Sequence, residues 1–101
     1  MAPEVPQNGS HLMPGFTHEV EVLDPIGLHA RPASQIVKLV KDSELDLTIA
    51  RPGGEAMSAK SALMLMSMKV KTGEKLILTF QNTDELSASN VATQIQEFLK
   101  G

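Results

Sequence analysis

From Phe16 onward the apolar residues keep switching between two spacings, and that switching constrains the fold more than any other feature of the chain. Phe16, His18, Val20 and Val22 alternate with Thr17, Glu19 and Glu21, the period-two pattern of a half-buried strand. Asp24-Pro25-Ile26-Gly27 stops it, because Pro25 has no N–H for a ladder and Gly27 accepts a positive φ. Ala33, Ile36, Val37 and Val40 then recur at helical spacing behind Pro32, which suits a first turn, so a helix is expected from about Ala30 to Lys41. Leu45, Leu47 and Ile49 mark a second strand, and Pro52-Gly53-Gly54 turns it into a short third one, Glu55 to Ser58. Ser61 stands ready to cap a short helix over Ala62 to Met68. Thr72-Gly73 leads into a fourth strand, Lys75 to Phe80. Asn82, with Glu85 three residues on, resembles a capping box opening a last helix that carries Ala88, Val91, Ala92, Ile95, Phe98 and Leu99.

Elements with one apolar side must bury that side together, so the order β-α-β-β-α-β-α implies an α+β fold. The expected form is a two-layer open-faced β-sandwich: a four-stranded antiparallel sheet with three helices on one face. At 101 residues and 42% apolar content the chain holds one domain, expected over residues 16–101. Residues 1–15, with Pro3, Pro6, Pro14, Gly9 and Gly15, lack periodicity and are expected to be a flexible tail. Gly9-Ser10-His11-Leu12-Met13 resembles the remnant of a cloning linker ahead of a start methionine; a natural tail is the alternative.

Several function classes fall away. Nine basic against 12 acidic residues give a net charge of −3, which provides no sequence-wide field for nucleic acid or an anionic membrane. With no cysteine there is no disulfide framework, thiolate metal site or sulfur nucleophile. The three aromatic residues, Phe16, Phe80 and Phe98, offer no base-stacking platform. The longest apolar run, Ala62 to Met66, is far below the roughly 20 residues that span a bilayer. A cytoplasmic protein without membrane insertion is the expectation.

One stretch holds more chemistry than a fold requires, Gly27-Leu28-His29-Ala30-Arg31-Pro32-Ala33-Ser34. It sets a histidine immediately before a helix whose first N–H groups, near Ala30 and Arg31, are free to bind an anion, and Arg31 adds a guanidinium within one turn. A neutral imidazole nitrogen is a competent nucleophile, so the arrangement is a phosphate cradle with a nucleophile at its mouth. By spacing alone, a polar surface histidine beside an ordinary helix opening is the commoner reading of these residues.

Ile26-Gly27-Leu28-His29-Ala30-Arg31-Pro32-Ala33 resembles the active-site signature of the HPr family, histidine-containing phosphocarriers of the phosphoenolpyruvate-dependent sugar phosphotransferase system. Ala59-Lys60-Ser61-Ala62-Leu63-Met64-Leu65 is similar to its second signature, and the likeness runs from about Phe16 to Lys100. The resemblance implies that His29 accepts a phosphoryl group on Nδ1 from Enzyme I and passes it to an Enzyme IIA or IIB component, with Arg31 stabilising the phosphoryl charge. It implies a carrier with a transient phosphohistidine rather than an enzyme, with no metal, nucleotide or other cofactor. Ser61 matches the serine that HPr kinase/phosphorylase modifies in some members, creating a corepressor for a catabolite-control regulator; plain capping of the short helix, worth about 1 kcal/mol, is the other reading. The exposed side of the second helix is where the family docks partners, which nominates Leu63 and Met64 within an apolar stripe continuing to Met66 and Met68. Leu65 or Met66 is expected in the core. Lys38 and Lys41 follow Arg31 along the first helix and suit a basic docking rim for an acidic Enzyme I groove, or simply a solvated face.

The chain departs from the family where a glycine usually stands near Lys69 or Val70, which puts helix length and partner choice in doubt. His18 and His11 match no family site. A paralogous carrier of a nitrogen-related or dihydroxyacetone phosphorelay would share the His29 chemistry, and a non-catalytic regulatory interaction module is the alternative from another class. An acylphosphatase-like hydrolase would need an anion loop with Arg and a catalytic Asn, and no such loop precedes a helix here. A monomer is the default expectation.

Overall fold

A computed structural model describes residues 15–101; of the expected tail, residues 1–14 lie outside the described residues. The elements run β1 (Phe16–Glu21), α1 (Ala30–Asp42), β2 (Asp46–Ala50), β3 (Met57–Ser58), α2 (Ala62–Ser67), β4 (Lys75–Gln81) and α3 (Glu85–Phe98). The strands form one antiparallel sheet in the order β1-β4-β2-β3. The α+β open-faced sandwich read from the periodicity is the observed architecture.

Alternation sets which face is buried. Val20 of β1, Leu47 and Ile49 of β2, and Leu76, Leu78 and Phe80 of β4 point into the core, where Phe80 pairs across the sheet with Phe16 and Leu47. Ala33, Ile36 and Val40 of α1, Leu65 of α2, and Ala88, Val91, Ala92 and Ile95 of α3 close over them. His18 faces the same side of β1, its ring edge-on to Phe80 with centroids 5.8 Å apart, a packing role.

Three local expectations are corrected. The third strand covers Met57–Ser58 alone, because Gly54 N–H closes a turn on the Arg51 carbonyl at 2.8 Å and the exposed Glu55 and Ala56 only bridge from that turn to the ladder. Helix α3 is capped by Asp84 instead of Asn82: the Asp84 carboxylate accepts the Ser87 N–H at 3.0 Å and hydroxyl at 2.8 Å. Asn82 sits at φ 55°, outside the extended conformation that an N-cap needs. Met68 is buried against the core, so the apolar stripe of α2 ends short of it.

The departure at Lys69 becomes a matter of backbone geometry. Helix α2 ends at its C-cap Met68, and Lys69 follows at φ 54°, the left-handed position that glycine occupies at many helix ends. A Cβ there costs roughly 1–2 kcal/mol, partly offset by the lower chain entropy of a non-glycine residue when unfolded. Lys69→Gly is therefore expected to stabilise the protein by about 0.5–1 kcal/mol, seen as a higher denaturant midpoint with an unchanged slope.

The same helix end is tied down by Arg51. Its Nε donates to Glu74 Oε1 at 2.6 Å, and its Nη2 donates to the Met68 carbonyl at 2.9 Å, joining the end of β2 to the loop before β4. Glu74 Oε2 also accepts the Lys71 N–H at 2.7 Å. The Arg51 guanidinium, then the Lys71 N–H, lower the Glu74 carboxyl from its ordinary 4.5 to about 2. A carboxyl depressed in the folded state contributes stability that is fully present above its unfolded pKa and lost as pH falls through the folded one. Stability should accordingly drop between about pH 4.5 and 2. Glu74→Gln should be less stable than the wild type at pH 7 and should lose less on going to pH 3, as measured by urea unfolding at the two pH values.

Candidate functional site

The loop between β1 and α1 is held by non-local bonds. Val22 N–H donates to the Glu74 carbonyl at 2.9 Å, and the Leu23 and Asp24 N–H groups both donate to the Leu99 carbonyl at 2.8 Å. Asp24 is 2% exposed, and its carbonyl accepts the Gly27 N–H at 2.9 Å and the Thr72 hydroxyl. Gly27 is at φ +92°, and a Cβ on it would fall 2.6 Å from the Val70 carbonyl oxygen; only glycine lets the loop lie this close to the segment after α2. Leu28 N–H then donates to that same oxygen at 3.0 Å.

The Asp24 side chain gathers the site. Oδ1 accepts the Ile26 N–H at 2.8 Å, while Oδ2 meets His29 Nε2 at 2.9 Å and Arg31 Nη2 at 3.2 Å. The Ile26 N–H, followed by the His29 ring, holds this carboxyl below the usual carboxylate range, so it is ionised near neutral pH. An ionised carboxylate can only accept, so a neutral His29 ring on this bond carries its proton on Nε2 and its lone pair on Nδ1.

His29 is the N-cap residue of α1, extended at φ −118°, and its carbonyl accepts the Ala33 N–H at 3.0 Å. Its ring makes no cap hydrogen bond, and Pro32 has no N–H. The N–H groups of Ala30 and Arg31 are left without intrahelical acceptors beside a partly exposed imidazole. Arg31, more than half exposed, uses one of its donors on Asp24 and keeps the others. The geometry thus places together an imidazole, free backbone donors and an exposed guanidinium, the components for holding a transferred anion.

The remaining residues named from the sequence fall around this cluster. Leu63 is 75% and Met64 43% exposed, whereas Leu65 is fully buried, and α2 packs against α1. Lys38 and Lys41 are exposed on α1, roughly 10 and 15 Å beyond Arg31 along the helix, so they do not join the cluster. Lys38 is paired with Asp42 at 2.9 Å. Ser61 Oγ accepts the Met64 N–H at 3.2 Å and caps α2. The sequence reading missed Asp24, although an Asp ahead of Pro at a strand end is a recognisable Asx-turn signal. It also missed Ile26, 74% exposed, and Leu23, 44% exposed, which add apolar surface to the loop.

The family description "PTS HPr component phosphorylation site" matches residues 16–100, the whole of the folded region. The chain belongs to the HPr family. It is 34% identical over 79 residues to phosphocarrier protein HPr of Mycoplasma pneumoniae, covering 78% of this chain and 90% of that protein. It is 36% identical over 80 residues to the HPr-like protein Crh of Bacillus subtilis, covering 78% of this chain and 93% of that one. The crystal structure of HPr from Bacillus anthracis superposes with a TM-score of 0.69 at 26% identity, over 83% of this chain and 95% of that chain. The chain is thus an HPr-type phosphocarrier of the phosphotransferase system, with the sheet and helices of solved HPr structures. Among the described residues no helix is long and apolar enough to cross a membrane.

Proposed function

We propose that His29 carries the phosphoryl group on Nδ1, taking it from phosphorylated Enzyme I, itself charged by phosphoenolpyruvate, and handing it to an Enzyme IIA or IIB component. The observation that carries this reading is the Asp24 carboxylate 2.9 Å from Nε2, which leaves Nδ1 as the nucleophile of the neutral ring. Arg31 and the N–H groups of Ala30 and Arg31 stabilise the charge on the phosphoryl oxygens as it arrives and leaves. The chain acts as a substrate of its partners and turns nothing over alone, as a monomeric cytoplasmic domain over residues 16–101.

Leu63 and Met64 supply the apolar part of the docking face, with Lys38 and Lys41 a basic rim that steers approach. Ser61 belongs to the same face through its place at the start of α2; phosphorylation by HPr kinase/phosphorylase would add roughly −2 charge beside Leu63 and Met64 and oppose docking with Enzyme I. Reconstitution tests the reading. With Enzyme I, phosphoenolpyruvate and a sugar permease component from the same organism, sugar phosphorylation is expected only when this chain is added. Equal sugar phosphorylation without it would remove the carrier role.

A further inference from the structure

We propose that Asp24 is a positioning residue for phosphoryl transfer: it holds the His29 ring by Nε2–H so that Nδ1 alone meets the donor, and keeps Arg31 on the same carboxylate as the ring until the phosphoryl group arrives. This rests on His29 being the acceptor. The loop itself does not need a carboxylate here. Its turn is closed by the Ile26 N–H on Oδ1 and the Gly27 N–H on the Asp24 carbonyl, bonds that an Asn would also make. What the carboxylate adds is Oδ2, buried and shared between His29 at 2.9 Å and Arg31 at 3.2 Å, the two side chains that face the incoming group. Because Asp24 is fixed from several directions, by Leu99, Gly27 and Thr72, its oxygens are aimed before any partner binds.

The chemistry of the step gives that arrangement a purpose. As the Nδ1 lone pair forms a bond to phosphorus, the P–N bond of the donor phosphohistidine breaks and its electron pair stays on the donor nitrogen. The Nε2 proton does not move. The product ring is an N-phosphoimidazolium whose positive charge faces the Asp24 carboxylate, and Arg31 is free to turn from Oδ2 to the phosphoryl oxygens. Onward transfer then expels a neutral imidazole; without the Nε2 proton the leaving group would be an imidazolate, a far poorer one. Asp24 thereby preserves the reactivity of the carried phosphoryl group as well as its place on the ring.

The test uses the full chain labelled with nitrogen-15, phosphoramidate as a partner-independent donor, and the isosteric variant Asp24→Asn. The wild type should show its ring proton on Nε2 and give the Nδ1 phosphoimidazole alone. Asp24→Asn should keep the folded spectrum, give a mixture of Nδ1 and Nε2 products, and slow transfer to the acceptor protein roughly 10–100-fold with little change in KM. Wild-type regiochemistry and rate in a folded Asp24→Asn would overturn the proposal. If that variant does not fold, the wild-type ring decides: a hydrogen-bonded Nε2–H supports the assignment and a proton on Nδ1 overturns it. Should phosphoramidate behave as expected while Enzyme I fails to charge the chain, the carrier reading falls and the Asp24 assignment stands.

Discussion

Replacing His29 with Ala is expected to abolish phosphoryl transfer from Enzyme I while leaving the fold in place. The nucleophilic nitrogen is lost outright, and among the described residues no other imidazole stands at the helix mouth, since His18 is packed edge-on to Phe80 on the sheet. The fold should survive because what His29 gives to α1 is its backbone: the carbonyl that accepts the Ala33 N–H persists in the variant, and the ring makes no capping bond. Asp24 keeps the Ile26 N–H and Arg31 as partners, so its carboxylate is not orphaned. Intact mass after charging reports the chemistry, and thermal unfolding reports the fold. A His29→Ala chain that accepts the phosphoryl group at the normal rate would place the acceptor elsewhere.

Arg31→Ala should be the next most damaging change, acting on rate rather than on docking. Its guanidinium shares the Asp24 carboxylate with the His29 ring, and removing a donor to a developing oxyanion costs about 10²–10³-fold in turnover. The affinity for Enzyme I should change less, since Leu63, Met64 and Ile26 supply exposed apolar contact surface that the substitution leaves untouched. Steady-state assay of the chain as a substrate of Enzyme I should show a large fall in kcat and a small change in KM. Arg31→Lys should recover only part of the rate, because an ammonium lacks the planar fork that meets two phosphoryl oxygens at once. A variant whose whole loss lies in KM would make Arg31 a docking residue instead.

Much of this arrangement is legible in the sequence because it is local. Period-two runs place Val20, Leu47, Leu76, Leu78 and Phe80 on one sheet face, and helical spacing places Ala33, Ile36 and Val40 against them. His29, Arg31 and the free donors lie within one turn of one helix, so their spacing already offers an anion site as one reading beside a plain surface histidine. The misses depend on contacts between distant parts of the chain. Asp24 is buried by the turn beyond α3 and by Thr72, and its bonds to His29 and Arg31 follow from how the loop folds back, which no periodicity encodes. Arg51 and Glu74, 23 residues apart, meet only because β2 and the loop before β4 both end beside α2. At the start of α3, Asn82 and Asp84 are both capping residue types, and the backbone decides between them: Asn82 is used for the left-handed turn and Asp84 is left in the extended position. Lys69 shows the reverse case, where a side chain sits at a left-handed helix end that residue preference alone would assign to glycine.

The central claim, that His29 carries a phosphoryl group between partners, is tested most directly by intact mass after incubation with Enzyme I, magnesium and phosphoenolpyruvate, before and after mild acid. The account predicts a gain of one phosphoryl group that acid removes, as a phosphoimidazole requires. No gain with Enzyme I from the same organism, or a gain that survives acid as a serine ester at Ser61 would, contradicts it.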